Sequence, residues 1–289
     1  MFDGFPRGQL FLIAGPCVLE DDALNLRVAD ALARLAPLVP GGIIYKASFD
    51  KANRSNAAAE RGPGLEEGLE RLVRVKAATD LPVLTDVHLP DQCAAAAAVV
   101  DVLQIPAFLC RQTDLLEAAG ATGKPVNIKK GQWMHPEGMR GAVEKVRLAS
   151  RDRVARPRVT PSTESRVTNH ESLSPIAVTE RGTFFGYGDL VVDMRSFARL
   201  REATGTPIVF DATHSVQRPG LGTDGASGGA REYIPTLALA AIAAGADGLF
   251  VETHPDPDHA PSDGPNMLRL GELASLVRRV LAVREASRA

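Results

Sequence analysis

Cysteine is scarce in this chain, with Cys17, Cys93 and Cys110 alone among 289 residues. An odd, sparse count argues against a disulfide framework and fits a reducing, cytoplasmic compartment. A dominant charge of one sign is also lacking. The formal net charge is -2, so nothing in the total points to nucleic acid or to an anionic membrane surface. No apolar run reaches the roughly 18 residues that would span a bilayer. The opening stretch, Met1 to Gln9, carries Asp3 and Arg7 among Gly and Pro and does not read as a signal peptide. A Gly-x-Gly-x-x-Gly fingerprint is missing after the first apolar run, which weighs against a doubly wound open sheet. What remains is globular. With 45% hydrophobic and 24% charged residues, the chain can bury a large core as one or two domains.

Short apolar runs alternate with longer helical stretches. Eight such runs are present: Leu10–Ala14, Gly42–Lys46, Pro82–Val87, Val102–Ile105, Val126–Lys129, Pro175–Thr179, Pro207–Phe210 and Gly248–Val251. Each is aliphatic and nearly continuous, the pattern of parallel strands covered on both faces. Helical segments such as Asp21–Leu35, Leu65–Thr79, Leu115–Thr122 and Tyr233–Ala244 lie between them, and Gly or Pro punctuation precedes several strands. An eightfold β-α alternation predicts a single-domain (β/α)8 TIM barrel over residues 1–289. One segment breaks the rhythm. Residues 150–174, rich in Ser, Thr, Arg and Pro, read as a polar insertion at the N-terminal face. It is longer than the usual ~2–6-residue connection, and is either a solvated loop or an extra oligomer contact.

Polar residues gather where the strands end: Cys17; Lys46 and Ser48; Asp86 and His88; Gln104; Asn127, Lys129 and Lys130; Glu180 and Arg181; Asp211 and His214; Glu252 and His254. Barrel active sites are built at this C-terminal rim. Lys46, Lys51, Arg54, Arg61, Arg111, Lys129, Lys130 and Arg181 concentrate positive charge there, which suits anionic substrates. The alternative for each is pairing with Asp50, Asp86, Asp114 or Glu180. Ring closure sets strand eight beside strand one. That brings Cys17, His214, Glu252 and, from the following loop, Asp263 to one sector, a credible divalent-metal site for zinc, iron or manganese. Taken singly, Cys17 reads as a buried packing residue and His214 as a structural or acid–base histidine. The run Gly220–Gly229, with five glycines, reads as a lid or a phosphate cradle. His88, His254 and His259, also near the rim, read as structural or as supports behind the site residues.

Longer motifs carry a resemblance. They are Lys46-Ala-Ser-Phe-Asp-Lys-Ala-Asn-Arg-Ser55, Arg61-Gly-Pro-Gly-Leu-Glu-Glu-Gly68, Thr85-Asp-Val-His88, Gln104-Ile-Pro-Ala-Phe108, Arg111-Gln-Thr-Asp114 and Asn127-Ile-Lys-Lys130. Further along come Glu180-Arg-Gly182, Phe185-Gly-Tyr187, Leu190-Val-Val-Asp193, Phe210-Asp-Ala-Thr-His214, Ala226-Ser-Gly-Gly229 and Glu252-Thr-His-Pro-Asp-Pro-Asp-His-Ala260. Over nearly the whole chain these resemble the 3-deoxy-D-manno-octulosonate 8-phosphate synthases. The related 3-deoxy-D-arabino-heptulosonate 7-phosphate synthases, which take erythrose 4-phosphate, typically have Lys-Pro-Arg-Thr in place of Lys51-Ala-Asn-Arg-Ser55. Sialic-acid-type synthases share the chemistry without these motifs. Cys17 in Gly15-Pro-Cys-Val-Leu-Glu20, and Ser262-Asp-Gly-Pro265 instead of Cys-Asp-Gly-Pro, resemble the metal-dependent class.

The resemblance implies condensation of phosphoenolpyruvate with D-arabinose 5-phosphate and water, within the Kdo branch of lipopolysaccharide biosynthesis, by a cytoplasmic homotetramer. It implies that Lys129 and Arg181 hold the phosphoenolpyruvate phosphate and that Lys46, Ser48 and Lys51 surround its carboxylate. Asn53 would meet the sugar hydroxyls. Arg54, Ser55 and Arg111, the last from a neighbouring subunit, would take the sugar phosphate. Gln104 is a further substrate-binding residue, and Lys51, Asn53, Asp86 and His214 take part in catalysis. A heptulosonate-type synthase and a non-catalytic sugar-phosphate-binding barrel are the readings of other kinds that remain.

Overall fold

The computed structural model describes residues 4–54, 59–155, 173–184, 188–220 and 228–288. Eight parallel strands close on themselves: β1 Phe11–Gly15, β2 Ile43–Lys46, β3 Val83–Asp86, β4 Val102–Ile105, β5 Val126–Lys129, β6 Ile176–Glu180, β7 Ile208–Asp211 and β8 Gly248–His254. Each pairs with its successor, and β8 returns to β1 with Phe11 opposite Gly248 and Gly15 opposite Glu252. The fold is a (β/α)8 barrel. Every residue of the eight strands is buried, as their unbroken apolar runs require, because helices cover one face and the barrel interior fills the other.

The helices are α1 Asp22–Leu35, α2 Leu65–Thr79, α3 Gln92–Val99, α4 Thr113–Ala121, α5 Met139–Ala155, α6 Ser196–Thr204, α7 Ile234–Ala243 and α8 Leu270–Ala286. Asp21 caps α1 by accepting a 2.8 Å bond from the Leu24 amide, which satisfies one of the free donors of the first turn. On α2 the buried positions Gly68, Leu69, Leu72 and Val75 recur at helical spacing and face the strands. Gly68 has to be small: a Cβ there would lie 2.4 Å from Phe49 Cβ.

The core is split by the sheet. Phe11, Ile13, Ile44, Leu84, Val102, Val209 and Phe250 fill the barrel interior, and Phe5 of the N-terminal segment packs on Phe11 with ring centroids 5.7 Å apart. A larger cluster lies between strands and helices. The upper interior is polar, so the barrel is plugged below and chemically equipped above.

Most boundaries shift by one or two residues, and two differ from the sequence expectation by more. β8 runs to His254, three residues further, because Thr253 and His254 pair with Leu268 and Arg269. The helix α5 continues six residues into the segment read as an insertion, since Val143, Val146 and Ser150 keep a buried helical stripe. Ser150 Oγ then accepts from the Ser174 amide at 2.8 Å, joining the two ends of that segment. The rest of it, residues 156–172, lies outside the described residues, as do Ser55, Phe185 to Tyr187 and 221–227 of the glycine-rich run.

Candidate active site

The rim encloses a cavity of about 610 Å³. Of the residues singled out in the sequence, Lys46, Ser48, Lys51, Asn53, Arg54, Asp86, Gln104, Lys129, Arg181, His214, Glu252 and Asp263 line it. Cys17 lies directly beneath, 2% exposed. Arg111 does not line the cavity of its own chain: it is exposed, between the turn at Ala107–Leu109 and the start of α4. Ser55 lies outside the described residues.

A hydrogen-bonded chain crosses four strands, β6 to β3, and ends on Ser48 just past β2. Thr179 Oγ1 donates to Asn127 Oδ1 at 2.7 Å, Asn127 Nδ2 to Gln104 Oε1 at 2.8 Å, and Gln104 Nε2 to Asp86. Ser48 Oγ completes it by donating to the other oxygen of Asp86, and Lys51 Nζ reaches Ser48 Oγ at 3.1 Å. Each member is buried and bonded, so the chain rigidifies the floor and fixes Ser48 and Lys51.

Lys46 is tied at two points, to Glu252 Oε1 at 2.6 Å and to the Cys17 carbonyl at 2.9 Å. Its position follows from Gly15. A Cβ on Gly15 would lie 2.1 Å from the Lys46 carbonyl oxygen, so only glycine lets β1 and β2 approach this closely. Burial disfavours charge on Asp86 and Glu252, but nearby cations outweigh it and hold both carboxyls well below their usual range: Lys46 and Lys51 for Asp86, Lys46 and His214 for Glu252. The Lys51 ammonium is pushed the other way. Burial opposes its charge, yet Cys17, Glu252 and Asp86 raise it.

Cys17, Glu252 and Asp263 each place one donor atom within 4.8 Å of the others. Cys17 Sγ contacts Asp263 Oδ2 and Ser262 Oγ, both at 3.2 Å. His214 Nε2 stands 3.6 Å from Glu252 Oε2, while its Nδ1 is bonded to Asp211 Oδ2 at 2.7 Å. An imidazole anchored by a carboxylate on one nitrogen and open on the other is the usual arrangement of a metal ligand. Asp263 adopts φ 51°, a left-handed conformation that costs energy for a non-glycine residue and is tolerated where geometry matters. Burial, with Glu252 adding to it, pushes the Cys17 thiol well above its ordinary value. A divalent cation would reverse that shift and offset the crowding of acids. The sulfur and two carboxylates, with the anchored His214 imidazole 3.6 Å from Glu252 but outside the tight group of three, are a donor set that fits a transition metal.

Lys129 and Arg181 also line the cavity, next to Asp211 and His214. Lys129 Nζ lies against Asp211 and 3.1 Å from the Phe250 ring centroid; burial lowers its pKa to about 8 despite Asp211. The Arg181 guanidinium meets only neutral acceptors among the described residues, the His214 carbonyl at 3.2 Å and Gln217 Oε1, and its buried Nε has no partner. That leaves donors free for an anion. The rim is not the excess of positive charge that the sequence suggests. Five cationic lining residues, Lys46, Lys51, Arg54, Lys129 and Arg181, face six carboxylates, Asp50, Asp86, Asp211, Glu252, Asp258 and Asp263. Arg54 is spent on the Pro261 carbonyl at 3.1 Å and on Ser262 Oγ at 2.8 Å.

One participant was not singled out by sequence, Gln217, and a second, Ser262, was read there only as a class marker. Gln217 donates to Asp263 Oδ1 at 3.1 Å and accepts from Arg181, and so links the two. Ser262 joins Cys17 to Arg54. Gln217 opens a two-residue strand paired with Gly229 and Ser262 lies in a bend, both too short for a periodicity to mark a residue.

A closed parallel barrel with its ionisable groups gathered at the C-terminal rim has its candidate site where barrel enzymes carry theirs. The chain belongs to the DAHP synthetase I family, whose profile matches residues 7–287. It is 51% identical over 272 residues to a Rhodopseudomonas palustris protein named 2-dehydro-3-deoxyphosphooctonate aldolase, covering 94% of this chain and 87% of that one. Proteins of the same name in Bradyrhizobium sp. and Nitrobacter winogradskyi are 50% identical over 280 residues and 52% identical over 273; the matches cover 97% and 94% of this chain and 90% and 87% of theirs.

Proposed function

We propose that this chain condenses phosphoenolpyruvate with D-arabinose 5-phosphate and water, releasing 3-deoxy-D-manno-octulosonate 8-phosphate and inorganic phosphate. The observation that carries the reading is one cavity lined by Lys129, by Arg181 with open donors, and by Glu252 and Asp263, whose donor atoms cluster with Cys17 Sγ, while His214 stands 3.6 Å from Glu252. The relatives' shared name agrees with it.

Lys129 and Arg181 grip the phosphoenolpyruvate phosphate, and Lys46, Ser48 and Lys51 face its carboxylate. Asn53, Arg54 and Ser55 receive the sugar, with Arg111 of a neighbouring subunit at its phosphate. C3 of the enol attacks the aldehyde carbon C1, cationic character develops at C2, and water adds there. Cleavage of the C–O bond then expels phosphate. Cys17, His214, Glu252 and Asp263 would hold a divalent zinc, iron or manganese ion, which supplies Lewis acidity for the aldehyde or the water. Asp86 and Gln104 keep Ser48 in place, so the two substrates are held in register, worth up to about 7–11 kcal/mol of the barrier. The same reading carries a cytoplasmic homotetramer serving lipopolysaccharide Kdo synthesis. Consistent with it, no helix among the described residues is long and apolar enough to cross a membrane, and Arg111 faces outward.

Phosphate release from phosphoenolpyruvate, measured with arabinose 5-phosphate and separately with erythrose 4-phosphate, tests this. Release with the pentose phosphate is the expected result. Preference for erythrose 4-phosphate would make the chain a heptulosonate-type synthase, and no release with either would leave a binding barrel.

A further inference from the structure

We infer that the buried pair Lys130–Glu180 positions the two phosphate-binding cations, a role that rests on the reading just given. Lys129 and Arg181 both line the cavity. Lys130 directly follows the first, one residue past the end of β5, and Glu180, the last residue of the neighbouring β6, directly precedes the second. Successive residues of a strand face opposite ways, and neither Lys130 nor Glu180 lines the cavity. Both side chains are enclosed, 0% and 1% exposed, with Lys130 Nζ 3.4 Å from Glu180 Oε1.

The bonds of the pair go to the backbone that carries the site. Lys130 Nζ donates to the Gly131 carbonyl at 3.3 Å, the Met134 carbonyl at 3.2 Å and Thr183 Oγ1 at 3.3 Å. Glu180 Oε1 accepts from the amides of Arg181 at 3.0 Å and Gly182 at 2.8 Å. The β5 loop is thus clamped to the β6 loop, and the Phe184 amide adds a 3.0 Å bond to the Gln132 carbonyl. Gly182, at φ +88°, makes the sharp turn that Glu180 caps.

An ion pair this deep gains little net stability, because desolvation offsets most of its Coulomb attraction. Glu180 Oε2, moreover, has no hydrogen-bond partner among the described residues, so the contact is not tuned for pairing alone. Its consequence is geometric. Two chain segments that each deliver one cation to the same anion are locked at a fixed separation.

The test compares Glu180→Gln, Lys130→Gln and the double variant with the wild type, in the full-length protein, reading KM for each substrate, kcat and Tm. The expected result is a rise in KM for phosphoenolpyruvate of about tenfold or more. KM for arabinose 5-phosphate stays within about twofold, and the double variant is no worse than the more impaired single. If a lone buried charge prevents either single from folding, the double variant, with no charge left, decides the matter. A folded variant with unchanged KM for phosphoenolpyruvate overturns the inference, and so does loss of fold in all three, which would make the pair purely structural. A wild type that does not consume phosphoenolpyruvate and arabinose 5-phosphate would instead sink the proposed reaction.

Discussion

Asp211 holds His214 from below: its Oδ2 takes the Nδ1 side of the imidazole at 2.7 Å, and its Oδ1 takes the His214 amide at 2.8 Å. The same carboxylate meets Lys129, so one buried anion orients both His214, which stands 3.6 Å from Glu252, and the neighbouring cation Lys129. Burial opposes its ionisation, but His214 and Lys129 outweigh that and hold it charged. Asp211→Asn keeps the shape and removes the charge. Steady-state kinetics and metal analysis on this variant should show kcat and bound metal both reduced, by about ten- to a hundredfold in affinity or activity. Wild-type values for both would detach Asp211 from the site.

Cys17 supplies the only sulfur of its cluster with Glu252 and Asp263. Cys17→Ala leaves Glu252 and Asp263 close together with no soft donor. Elemental analysis of the purified variant should find the metal lost, and turnover should fall by about a hundredfold or more. Chelation of the wild type should do the same, and restoring zinc, iron or manganese should recover it. Full activity after verified metal removal would refute the metal reading.

How much of this was legible in the sequence depends on what each residue answers to. The strands were, because a strand buried on both faces must be apolar throughout, and Val102–Ile105 and Val126–Lys129 fall where the runs place them. The rim residues were legible as well, since barrel closure turns distance along the chain into proximity: Gly15 pairs with Glu252. The charge balance was not. Sequence counts cations near strand ends but does not show that Lys46 is spent on Glu252 and Lys129 on Asp211. Nor does it mark Gln217, whose role comes from a turn after β7 that returns it between Arg181 and Asp263.

Gly15 answers to backbone packing alone. With 2.1 Å between its virtual Cβ and the Lys46 carbonyl oxygen, Gly15→Ala must force β1 and β2 apart. The cost is about 2–3 kcal/mol, seen as a fall in Tm of roughly 5–10 °C. Because the displaced strand end carries Lys46, activity should fall more than the folded fraction does. A variant with wild-type Tm would mean that the two strands separate freely.

Lys129 gives the pH dependence. Burial lowers its pKa from the ordinary lysine range to about 8, with Asp211 only partly restoring it. Below that pH the ammonium is charged and can hold a phosphate; as pH rises through about 8 the charge is lost in the free enzyme. Since kcat/KM reports the free enzyme, kcat/KM for phosphoenolpyruvate should decline on an alkaline limb near pH 8. KM for arabinose 5-phosphate, which binds elsewhere, should not follow it. In linkage terms the folded value lies below the unfolded one. The penalty for keeping Lys129 charged in the fold is therefore present below about pH 8, and this group's contribution to stability rises from there toward the ordinary lysine pKa. Lys129→Ala should weaken phosphoenolpyruvate binding and turnover at every pH and flatten the limb. An alkaline limb that survives unchanged in that variant would assign the proton to another group.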